Sequence, residues 1–172
     1  DKPARGLCGS GLIDLIATLI DLGVVESNGR FASPEAFAPD LGRRLIRTNG
    51  SLAFALTPEV TLSQKDIRQV QLAKGANQAG IEVPLLHTGI ASSQVDRVLI
   101  AGAFGYHLAT DSLLTLKILP REFSNKVVYV GNTSKTGSQT FLSNASYREE
   151  MAEVAQEINI LELSKQQDFE RL

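Results

Sequence analysis

The chain has 172 residues, 43% of them hydrophobic and 21% charged, enough for one well-buried core and short of two full domains. Its net charge of −2, with no Lys/Arg cluster longer than Arg43-Arg44, lacks the footprint of a nucleic-acid binder; no apolar run approaches a bilayer span, and the first residues carry no signal pattern, so no membrane partner is expected. A single cysteine, Cys8, rules out an internal disulfide and, with only His87 and His107 beside it, a Cys/His metal set, which fits a reducing cytoplasm.

In chain order, apolar residues at Leu12, Ile13, Leu15, Ile16, Leu19 and Ile20 share one helical face, so a helix opens at Gly9-Ser10-Gly11 and stops at Gly23. Residues 24–50 mix Gly, Pro, Asn and Ser with short apolar runs and read as loops and turns with room for a small hairpin. Residues 52–57 form the strand before the next helix. Ser63, with Asp66 three residues on, caps the longest helix, whose apolar face runs through Ile67, Val70, Ala73, Ala76 and Ala79. Gly75 and Gly80 weaken it, which a close approach to its backbone would explain, and Pro84 is expected to kink or divide it before a stop near Gly89.

Residues 97–102, RVLIAG, are an apolar run suited to a strand covered on both faces, followed by Ala103-Phe104-Gly105 and a helix capped near Thr110 or Asp111. Residues 126–131, KVVYVG, repeat the plan. They lead into a polar stretch, 133–137, a helical face of Met151, Val154, Ala155 and Ile158, and a last short strand over 158–163. This alternation predicts an α/β fold with a mainly parallel or mixed sheet flanked by helices, in which ligands sit beyond the carboxyl ends of the strands. The chain enters a Gly-rich motif at once and has no initiator Met, so it is expected to be a single domain, 1–172, from a longer multidomain protein.

Two glycine turns lie at those strand ends. Gly102-Ala103-Phe104-Gly105 would let a flat base or a phosphate reach the backbone, and would serve equally as an ordinary strand-to-helix turn. Gly131-Asn132 with the hydroxyls of 133 and 134 offers a second such turn, with a solvated polar loop over 133–140 as the alternative. Gly9-Ser10 opens a helix whose dipole attracts anions, but the spacing is not that of a P-loop; close packing of the helix start explains it as well. Gln71, Lys74 and Gln78 form one polar stripe that could edge a base or simply face water. Cys8 reads as a buried structural thiol, and the two histidines as ordinary polar residues. No acidic pair sits in an apolar setting, so the chain shows no catalytic machinery of its own.

Together, GLCGSGLID (residues 6–14), QKDIRQVQLAKGA (64–76), VLIAGAFG (98–105) and VGNT (130–133) resemble the C-terminal region of the reductive activators of corrinoid proteins. The resemblance covers most of the chain. It implies a ribonuclease H-like lobe of the actin-like ATPase superfamily, the ASKHA proteins, which binds ATP or ADP, with Mg2+ in the full-length site. It also implies an iron–sulfur domain in the parent protein only, and an ATP-driven return of cob(II)alamin to cob(I)alamin on a corrinoid methyltransferase partner. Gly102, Ala103, Phe104 and Gly105 would be the adenosine motif, and Gln71 and Lys74 would lie on the helix bordering the adenine. The family usually has two adjacent glycines where this chain has Gly102-Ala103. An alternative is an interaction lobe that docks the corrinoid protein or a second copy, giving a homodimer, with a degenerate nucleotide site; a Rossmann-type enzyme is disfavoured because no GxGxxG follows a first strand.

Overall fold

A computed structural model describes residues 4–166. The fold is mixed α/β, and its contacts cluster into two units: residues 4–78 with 108–121, and 79–107 with 122–166.

The first unit begins with α1 (Gly9–Asp21), as the apolar spacing requires. Gly23 stops it in the left-handed region at φ 72°; its amide bonds the carbonyl of Ile20 and that of Val24 bonds Leu19, closing the helix end. Leu19 and Val24 meet there fully buried. After the one-turn helix α2 (Pro39–Gly42), three strands, β1 (Leu45–Thr48), β2 (Ser51–Ala55) and β3 (Thr61–Ser63), form an antiparallel sheet in chain order. The first two are joined through Asn49 and Gly50, both at positive φ (51° and 78°), as a two-residue hairpin of right-handed twist demands. The hairpin straddles the end of the 24–50 stretch: β1 lies inside it, and β2 is the strand expected over 52–57. Leu45, Phe54 and Leu62 from the strands join Ile16, Leu19, Val24, Val25, Ile67 and Val70 in one core.

The long helix α3 (Gln64–Thr88) opens on the expected capping box: Asp66 accepts from the Ser63 amide at 2.8 Å and hydroxyl at 2.6 Å, and Ser63 Oγ accepts from the Asp66 amide. The helix continues through Pro84 rather than ending or dividing there. Gly80 is the residue whose carbonyl the proline ring displaces, and without a Cβ its backbone can tilt. Gly89, at φ 69°, terminates the helix as Gly23 terminates α1. No described neighbour approaches Gly75 or Gly80 within 4 Å of a Cβ position, so the anticipated close contact is absent. Helix α4 (Thr110–Thr115) completes the first unit, with Ala109 rather than Thr110 or Asp111 as N-cap, and Ser112 Oγ donates to Asp14 of α1 at 2.6 Å. Lys117 closes α4 in the left-handed region, φ 56°, where glycine is usual.

In the second unit, β4 (Val98–Ala101) and β5 (Val127–Gly131) pair in parallel. They are not covered on both faces. Val98, Ile100, Val127 and Tyr129 are half-buried, whereas Leu99, Ala101, Val128 and Val130 are exposed. The polar stretch after β5 is a helix, α5 (Thr133–Ser143), not a loop, followed by α6 (Ser146–Glu157). Residues 158–162 form no strand; a single turn, Leu163–Lys165, follows them.

The left-handed stop of α1 sets a measurable expectation. Gly23→Ala should lower unfolding free energy by about 1–2 kcal/mol in a denaturant titration, because the new Cβ meets a following carbonyl oxygen.

Candidate functional site

The two glycine turns are joined. The Gly102 amide donates to the Gly131 carbonyl at 2.8 Å, one rung past a bulge between Ile100 and Ala101 that pairs Ala101 with Gly131. Gly102 (φ 98°) and Gly131 (φ 70°) both occupy backbone space that side chains avoid, and neither has a described atom within 4 Å of its Cβ position. The carboxyl ends of β4 and β5 therefore present adjacent, unobstructed backbone.

The four residues after β4 divide by physical role. Gly105 is a packing glycine: a Cβ there would stand 2.6 Å from Cγ2 of Ile100. Gly102 is required by its dihedral angle instead. Between them Ala103 and Phe104 are exposed, and the Phe104 carbonyl accepts the His107 amide in the turn Gly105–His107. At the second turn Asn132 is the N-cap of α5, its Oδ1 accepting the Lys135 amide at 3.1 Å, so the side chain closes a helix start that points its remaining amides outward. Beside it an open cleft of about 450 Å3 runs between α5 and α6, lined by Val130, Thr133, Thr136, Met151, Val154 and Ile158. Gly102 and Gly105 do not line it.

Gln71, Lys74, Gly9 and Ser10 belong to the first unit. The Nε2 of Gln71 donates to the Asn28 carbonyl at 3.2 Å, and a Cβ on Gly29 would collide with its carboxamide. Two turns earlier on the same helix face, Gln64 donates to the Gly29 carbonyl at 2.7 Å and accepts from the Phe31 amide. Two glutamines thus strap the loop of residues 26–30 to α3, so Gln71 is engaged rather than part of a plain wet stripe. Lys74 is half-buried beside this loop, at a small cavity of about 60 Å3 floored by Ile16, Ile20, Val25 and Val70. Burial, and secondarily the charge of Lys117, pulls its ammonium below the ordinary lysine range. Lys117 carried no signal in the sequence, because a left-handed lysine has no compositional signature.

Gly9 and Ser10 form the first turn of α1. Cys8 is its N-cap and is exposed, not the buried thiol expected: Sγ accepts the Gly11 amide at 3.4 Å and lies 3.4 Å from Ser10 Oγ. The Ser10 hydroxyl, then the Gly11 amide, favour the thiolate and lower the Cys8 pKa. Among the described residues no helix is long and apolar enough to cross a membrane.

Comparison with known proteins identifies the family of the chain. The sequence profile of the C-terminal domain of RACo, the ASKHA domain, matches residues 1–172. The corrinoid activation enzyme RamQ of Eubacterium limosum is 32% identical over 148 residues, 80% of this chain and 25% of its own length. A [Co(II) methylated amine-specific corrinoid protein] reductase of Methanosarcina barkeri is 23% identical, over 90% of this chain and 25% of its own. The solved structure of a reductive activator for a corrinoid, iron–sulfur protein superposes with a TM-score of 0.84 at 31% identity, covering 95% of this chain and 27% of that one. The chain thus spans about a quarter of the length of these relatives.

Lys74 titration offers a direct check on the first unit. Lys117→Gln should raise the Lys74 pKa part of the way to its ordinary value, leaving the larger effect of burial, in an NMR titration of the Lys74 side chain. Between the lowered pKa and 10.5 the unfolded chain holds the extra proton, so this group makes stability rise with pH. Lys74→Met should abolish that rise.

Proposed function

Since the chain belongs to the family of the RACo C-terminal ASKHA domain, we propose that it is the ATP-binding part of a reductive activase that returns cob(II)alamin to cob(I)alamin on a corrinoid methyltransferase protein in the cytoplasm. The observation that carries this reading is the 2.8 Å bond between Gly102 and Gly131, which sets two positive-φ glycines with open space above them side by side at the strand ends. Such backbone suits a flat base and ribose, and crevices beyond the carboxyl ends of parallel strands are where nucleotides bind in this class of sheet. Two relatives, a corrinoid activation enzyme and a corrinoid protein reductase, support the choice of partner.

In this reading the backbone of Gly102, Ala103 and Phe104 flanks the adenosine. Gly105 holds that segment down on Ile100. Asn132 fixes the start of α5, whose outward amides attract negative charge. Within the first unit, Gln71 holds the 26–30 loop in place beside Lys74, and Gly9 and Ser10 open a helix of their own. ATP supplies the free energy for an unfavourable one-electron reduction. An iron–sulfur cluster needs several thiolates, and one cysteine cannot supply them, so the electron is delivered from outside these residues.

Ala103 gives a clean test because it is exposed and has no left-handed backbone to strain. In the full-length protein, Ala103→Phe should weaken ADP binding by at least about tenfold, or 1.4 kcal/mol, in calorimetry, with its melting temperature retained. Corrinoid reduction should fall with it. Unchanged affinity removes the adenosine assignment and favours a docking lobe with a degenerate nucleotide site.

A further inference from the structure

Lys74 is a half-buried cation that makes no hydrogen bond or ion pair among the described residues. Glu26 lines the same cavity, but its carboxylate accepts from Asn28 Nδ2 at 3.1 Å instead. At the end of α4, Lys117 is close enough for its charge to disfavour a second ammonium. A lysine partly desolvated beside a like charge holds more of its population as the neutral amine, which is the nucleophilic form. The space beside it is about 60 Å3, floored by Ile16, Ile20, Val25 and Val70, with Ser27 and Gln71 also lining it. Such a volume has room for a molecule of a few heavy atoms and none for a nucleoside. Its apolar floor favours a small uncharged reactant over a hydrated ion.

We propose that Lys74 is a carbon dioxide acceptor, whose product, a carbamate on Nζ, is stabilised by Lys117 at the cavity beside the 26–30 loop. The Nζ lone pair forms a bond to the carbon, one C=O electron pair moves onto its oxygen, and a proton leaves the nitrogen for solvent. Nothing is oxidised or reduced. The product reverses the local electrostatics. Two like charges become an opposite pair, and the Ser27 hydroxyl and the second N–H of the Gln71 carboxamide are donors available to the new carboxylate oxygens. The Glu26 carboxylate opposes the product and limits its occupancy. Carbon dioxide thereby switches the sign of the charge beside a loop that Gln64 and Gln71 hold in place.

The test uses the full-length protein without nucleotide, equilibrated with 13C-labelled carbon dioxide, so its outcome is independent of the adenosine assignment. Triethyloxonium ion converts a carbamate into a stable ethyl ester, which peptide mass spectrometry locates. Labelled ester on Lys74 should exceed that on any other lysine of these 172 residues at least about threefold, because the neutral fraction rises as the pKa falls. In Lys117→Gln the Lys74 ester should drop at least about threefold, since the change both restores ammonium and removes the counter-ion of the carbamate. Lys117 is exposed, so this variant keeps the fold. Anything less in either comparison overturns the proposal. So does protection of Lys74 by inorganic phosphate without labelling by carbon dioxide, which marks an anion site on the ammonium.

Discussion

One hydrogen bond organises the candidate site. The Gly102 amide reaches the Gly131 carbonyl just past a bulge after Ile100 at which β5 gains one residue on β4. The extra residue, Val130 of β5, leaves Ala101 facing Gly131, and the Gly102 amide bonds back to the same glycine. Both chains then turn away together through left-handed angles, and the space above them stays empty. A sheet edge thereby presents bare backbone rather than side chain, the feature on which the proposed adenosine assignment rests. Everything assigned to adenosine depends on this register.

The first unit is built on a different logic, in which side chains restrain backbone. Gln64 and Gln71 stand two turns apart on α3, and their carboxamides hold the carbonyls of Gly29 and Asn28. The same loop begins and ends on core residues, Val25 and Phe31, which bridge to each other. A segment of five polar or glycine residues is thereby fixed beside Lys74. Its geometry is set by amide dipoles and burial beneath it, and the lysine beside it is held partly out of water.

Much of this was legible in the sequence where the signal is local. The face from Leu12 to Ile20 defined α1, Ser63 with Asp66 defined the start of α3, and the VLIAG and VVYVG runs defined the parallel strands. Helix α5 was missed because its sequence, TSKTGSQTFLS, is poor in helix formers. Asn132 caps it, and the hydroxyls of Thr136, Ser138, Thr140 and Ser143 bond carbonyls four residues back, an arrangement the helix accommodates at a small cost in stability. The Asn49-Gly50 turn was within reach, since that dipeptide is a strong hairpin signal, but the Pro- and Gly-rich stretch before it obscured the strand. Pro84 did not divide α3, because a proline inside a long helix removes one amide bond and leaves the packed turns on either side in place. For the site, both glycine turns were visible, but their register was not: strand pairing across a long intervening segment is a tertiary fact. The engagement of Gln71 with Asn28, forty-three residues away in sequence, is another.

The parallel pairing has a kinetic side. The antiparallel sheet is closed by short turns, so its contacts are local and cost little chain entropy to make. Strands β4 and β5 meet only after the whole stretch from residue 102 to 126 has been looped back, and contacts of that kind form late. During synthesis the hairpin and its helix can assemble first, while the glycine turns come into register only at the last stage. A folding intermediate with an ordered first unit would therefore be blind to nucleotide, and acquisition of binding would report completion of the fold.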